Sequence, residues 1–112
     1  MTNDHKPGKA YQDISQRYPE VFAALENLGT TIRDVGPLDE KTSHLIQLAA
    51  AAVAKSEGSV HSHTRRAIKA GATQEEVYHC LLLLVSTVGF PQAMAALSWC
   101  RDIFEDAGKK GR

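Results

Sequence analysis

The stretch LDEKTSHLIQLAAAAVAKSEGSVHSHTRRAIKAGATQEEV, residues 38–77, holds two helices and the start of a third. Asp39 is a suitable N-cap for a helix reaching about Lys55, polar at first and then apolar nearly all round in LIQLAAAAVA. Such a helix is buried on most sides, and its alanines let neighbours approach closely. A break near Glu57-Gly58 separates it from a helix of about Ser59 to Ala70. Gly71 there suits the left-handed residue that closes a helix. Thr73 and Glu76 then form a capping box for the next one.

Outward from this stretch the periodicity stays helical. A short helix is expected over Lys9–Arg17, and Pro19 suits the first position of a second. Val21, Leu25, Leu28 and Ile32 recur at four, three and four, and Gly36-Pro37 stops that helix. The fifth helix is expected over Gln74–Val88, with Val77, Leu81, Leu82, Leu83, Leu84 and Val85. It is too apolar for an exposed position and belongs at a core centre or a subunit interface. Gly89 ends it, Pro91 starts a sixth, and Ala93, Leu97, Cys100 and Phe104 continue the apolar face. No period-two strand pattern occurs, so the fold class is all-α, with five or six helices packed as hairpins. Residues 1–8 are expected to be a flexible segment, 9–107 a single domain and 108–112 a frayed tail.

The 112 residues carry 13 basic and 13 acidic side chains, which gives no electrostatic reason to expect nucleic acid or an anionic membrane as partner. Arg65, Arg66 and Lys69, and the tail Lys109, Lys110 and Arg112, read as solvated surface. The N-terminal residues lack the apolar run of a secretory signal, and the longest apolar runs fall short of the ~20 residues of a membrane span. Cys80 and Cys100 fit buried thiols better than a disulfide. The chain therefore reads as cytoplasmic.

Ser56, Ser59 and His63 follow one another at three and four, along one helix face. His63 shares the side of Val60 and Ala67 and points inward, where its ring nitrogens need partners. Ser59 and His44 are candidates, the latter if the two central helices pack antiparallel. His61 points about 200° away from His63, so the two do not share a metal ion; it reads as a surface histidine near Arg65 and Ile68. The spacing of His44 and His63 fits no standard metal motif. Ser59 as a hydrolytic nucleophile lacks a visible oxyanion hole or nucleophile elbow. Cys80 sits in a leucine run, where desolvation raises a thiol's pKa and makes it inert.

LDEKTSHLIQLA, the histidine followed by RRAIKAGATQEEV, and GFPQAMAAL, in this order over residues 20–105, resemble the carboxymuconolactone decarboxylase family, which includes alkylhydroperoxidase D. The resemblance implies an all-α bundle that assembles into trimers or hexamers. In the peroxidase branch a Cys-x-x-Cys pair precedes the histidine that matches His63; its positions are Ser56 and Ser59 here, and the relay glutamate is His44. A serine hydroxyl forms neither thiolate nor disulfide, so peroxidase chemistry loses its redox atoms. The decarboxylase branch needs no cysteine pair and no cofactor or metal. It implies a small carboxylated lactone or related aromatic-catabolism intermediate as substrate. His63 is then the general acid, His44 a polarising or relay partner, and Arg65 or Arg66 the carboxylate's contact. The alternatives are a silent binding or accessory paralogue and an antioxidant enzyme using Cys80 or Cys100.

Overall fold

A computed structural model describes residues 8–110. These form seven α-helical segments and no strand: α1 (Lys9–Arg17), α2 (Pro19–Asp34), α3 (Glu40–Val53), α4 (Glu57–Lys69), α5 (Gln74–Leu82), α6 (Val85–Val88) and α7 (Phe90–Lys110). The segment expected to be flexible lies, apart from Gly8, outside the described residues. So do residues 111–112 of the tail.

The boundaries follow local chemistry. Pro19 starts α2, and Asp39 caps α3 by accepting the Thr42 N–H at 2.8 Å. Thr73 and Glu76 cap α5 reciprocally, at 3.0 and 2.9 Å. Two boundaries depart from the sequence reading. The fourth helix starts at Glu57, because Ser56 is its N-cap and accepts the Ser59 N–H at 3.3 Å. The helix expected over 74–88 breaks after Leu82. There Leu84 N–H reaches Leu81 O and Thr87 N–H reaches Leu84 O, tight three-residue turns that lead into the β-branched run Val85–Val88. Gly89, at φ +99°, closes α6.

The α3–α4 hairpin is the centre of the molecule, and α7 lies across α4 and α5. Leu48, Ala52, Val60, Ala67, Val77, Leu81, Ala96 and Cys100 form the core. Alanines on facing helices bring the backbones together, as the run in α3 requires. Gln92 of α7 donates to the carbonyls of Ala52 and Val53 at 3.1 and 2.7 Å, satisfying the end of α3. Lys41 of α3 meets Glu76 of α5 at 3.0 Å. The turn after α3 places Lys55 at φ +59°, with Ser56 N–H returning to Ala51 O. The same wrap after α4 uses Gly71 at φ +103°.

The α1–α2 hairpin stands apart. Tyr11 and Phe22 meet edge to face, with centroids 5.3 Å apart. The stripe Val21, Leu25, Leu28 and Ile32 stays between 54% and 61% exposed. Only the end of α2 and the following turn meet α3, around an apolar cavity of about 240 Å³ bounded by Ile32, Pro37, Leu38 and Ile46.

Candidate functional site

The α3–α4 packing brings His44 and His63 together, with ring centroids 5.8 Å apart and planes inclined by 38°. His44 is 2% exposed and His63 half-buried. Nδ1 of each ring is buried and makes no hydrogen bond among the described residues. Oε1 of Gln47, one turn beyond His44 on α3, is in the same position. Buried polar atoms are ordinarily paired, so the two unpaired Nδ1 atoms on facing rings suit a polar group between the helices, while Gln47 lines the apolar cavity beside Ile32 and Ile46.

Two arginines set the charge of this place. Burial, the Arg66 guanidinium, the neighbouring His44 and Arg33 push the His63 imidazole down to about 4. Burial, Arg33 and Arg66 likewise lower His44, opposed by Glu40, whose carboxylate lies 3.9 Å from its Nε2. Both imidazoles are therefore neutral near pH 7, in a field that favours an anion. Arg33 comes from the last turn of α2. Its guanidinium lies back along the helix against Gly29, where a Cβ would stand 3.3 Å from Nη1.

The serines and the remaining arginine of the expected site lie elsewhere on α4. A cleft of about 530 Å³ is lined by Tyr11 of α1 and by Ser56, Ser59, Arg65, Arg66 and Lys69. Its walls are hydroxyls and three cations, again suited to an anion. Burial and Arg66 lower the pKa of Arg65. The expected residues thus form two groups, the inward imidazole pair and the outward basic cleft, and Arg66 belongs to both. Ser56 Oγ is engaged as the helix cap, and Ser59 is exposed.

His61 is not the surface histidine that its neighbours suggested. It is 9% exposed, and its Nε2 lies 3.4 Å from Asp102 of α7. The helix face it occupies is covered by α7, which the local sequence does not reveal. Both cysteines are free thiols. Cys100, held at 3.0 Å from Thr64 Oγ1, is pushed up to about 11 by burial. Burial also raises Cys80, whose Sγ donates to Leu45 O at 3.3 Å.

Sequence reasoning missed Arg33 and Gln47. Gln47 had a signal, since it is the one polar residue in the apolar run LIQLAAAAVA. Arg33 had none, because nothing local to it indicates where the end of α2 lies.

The sequence pattern of the Carboxymuconolactone decarboxylase family matches residues 19–102. Two uncharacterized proteins of Methanocaldococcus jannaschii are each 26% identical. One alignment covers 89% of this chain and 94% of the relative, the other 87% and 94%. The apo crystal structure of a carboxymuconolactone decarboxylase family protein from Legionella pneumophila superposes with a TM-score of 0.73 at 27% identity, over 87% of each chain. A candidate carboxymuconolactone decarboxylase from Burkholderia xenovorans LB400 superposes at 0.68 over 92% of this chain and 84% of its own. At 24% identity that second likeness is one of fold alone.

Proposed function

Because the chain belongs to the carboxymuconolactone decarboxylase family, we propose that it is a cofactor-free carboxy-lyase acting on a small carboxylated lactone or related unsaturated acid. The observation that carries this reading is the His44–His63 ring pair, held neutral by burial and by the charges of Arg66 and Arg33, with the Nδ1 of each ring unpaired among the described residues. A carboxylate entering this field offsets the arginines and raises the His63 pKa, so the substrate brings with it the conditions for protonating the imidazole. As the carbon–carboxylate bond breaks, carbon dioxide leaves and the electron pair passes into the conjugated enol lactone. Protonated His63 then returns a proton to carbon, and water restores it through His44. Arg66, with Arg65 at the cleft, orients the carboxylate. No metal or cofactor enters the scheme.

A second reading, a silent oligomeric binding or accessory paralogue, is favoured by Ser56, whose hydroxyl is occupied as a helix cap rather than presented to a substrate. Thiol peroxidase chemistry is disfavoured by serines at both motif positions and by the raised pKa of both thiols. Assembly into a homo-oligomer, trimer or hexamer, belongs to either of the first two readings. It is supported by the uncovered stripe of α2 and by exposed Leu82, Leu83 and Phe90. Among the described residues no helix is long and apolar enough to cross a membrane.

The test is ultraviolet-monitored turnover of 4-carboxymuconolactone by the purified protein beside His63→Ala. Turnover lost in a variant that keeps its assembly supports the lyase. No turnover by the parent protein favours the silent paralogue.

A further inference from the structure

On the opposite side of α4 from His63, we propose that Glu57, His61 and Asp102 form a binding site for a first-row divalent transition ion, Zn²⁺ foremost, that clamps α4 to α7. The three side chains each present one donor atom, and these atoms all lie within 4.8 Å of one another. His61 Nε2 is 3.4 Å from Asp102 Oδ2 and 3.9 Å from Glu57 Oε2. Both separations are long for a charged hydrogen bond, which prefers about 2.7–2.9 Å. They instead approach the edge of a tetrahedral zinc site, where bonds of about 2.0–2.2 Å hold neighbouring donors roughly 3.3–3.5 Å apart. The His61–Asp102 edge already has this length, and closing the others, from 3.9 Å for His61–Glu57 and no more than 4.8 Å between the carboxylates, is a side-chain adjustment within the reach of a half-buried aspartate and an exposed glutamate.

The framework is built rather than incidental. Glu57 and His61 stand one turn apart on α4, the spacing at which a helix offers two ligands from one face. Asp102 comes from α7, which packs along α4 through the buried Thr64–Cys100 contact. The imidazole is nine-tenths buried and directed at both carboxylates, so little of its freedom remains to be lost on binding. With a neutral imidazole the triad carries two negative charges, which a dication neutralises. A nitrogen donor and only three protein ligands select against Ca²⁺ and Mg²⁺, which take oxygen-rich shells. Because His61 and His63 diverge by about 200° around the helix, the ion has no route to the imidazole pair. Its role is to hold two helices together.

The experiment titrates the metal-free, full-length protein with Zn²⁺ by calorimetry, and with Co²⁺ by visible absorption. Asp102→Asn and Glu57→Gln are measured alongside; both keep side-chain size and are chosen to preserve the fold. One ion bound per chain, a Co²⁺ spectrum of nitrogen–oxygen ligation, a rise in melting temperature on Zn²⁺ addition and an affinity at least tenfold weaker in each variant are expected. Absence of saturable binding overturns the proposal. So does binding that both variants retain undiminished, since the ion then sits elsewhere. Neither result bears on turnover at His63.

Discussion

His44 and His63, from adjacent helices, hold their rings 5.8 Å apart, and both are kept neutral first by burial and then by the charges of Arg33 and Arg66. The proton affinity of His63 is thus a property of four side chains on three helices. Titration by NMR is expected to place it near 4, well below an ordinary histidine, and Arg66→Gln is expected to raise it. An unshifted His63, or one indifferent to Arg66, would refute this electrostatic account.

The same shift acts on stability. The unfolded chain binds a proton at His63 near pH 6.5, and the folded protein only near 4. The contribution is therefore complete above pH 6.5, declines as the pH falls toward 4, and changes no further below. With its partial exposure discounted, His63 should account for about 1–2 kcal/mol of this loss. Urea unfolding in parent and His63→Ala proteins between pH 4 and 7 measures it: the variant should show a shallower decline.

For the lyase itself, His63→Ala should lower kcat by about 10²–10⁴-fold. Arg66→Gln should act mainly through KM for the carboxylated substrate. Steady-state kinetics separates the two, and an Arg66→Gln variant with unchanged KM would remove that residue from carboxylate recognition.

The exposed stripe of α2 makes assembly testable. Light scattering of the parent protein is expected to give a mass above that of a dimer. Leu25→Asp combined with Leu28→Asp should reduce it without loss of helical circular dichroism, because neither residue is in the core. A monomeric parent would contradict the proposal.

Lys55 holds the left-handed conformation that Gly71 holds after the next helix. Lys55→Gly relieves a side-chain clash that glycine does not have, so it should raise stability by about 0.5–1 kcal/mol. Chemical denaturation measures the gain.

Much of this fold is legible because helix ends are written locally. Pro19, Asp39, Gly71 and the Thr73–Glu76 pair act within one turn of themselves, and each sits where its chemistry requires. Ser56 is less legible, since the sequence shows two serines near the start of α4 and only the turn at Lys55 decides which one caps. The break after Leu82 is hidden by leucines that continue past it. The meeting of His44 with His63 follows from a short turn between two long helices. The burial of His61 does not, because it depends on how α7 returns across α4. Arg33 illustrates the limit: its influence on His63 crosses from α2 to α4, and no local pattern carries that information.

The slight attachment of α2 to the rest of the chain has one more consequence. Arg33 rides on the last turn of this arm, while the stripe that leaves the arm uncovered lies on the turns before it. Arg33 therefore sets a charge at the joint between the arm and the core. An imidazole of α4 thus owes part of its acidity to a side chain on a helix that barely touches α4.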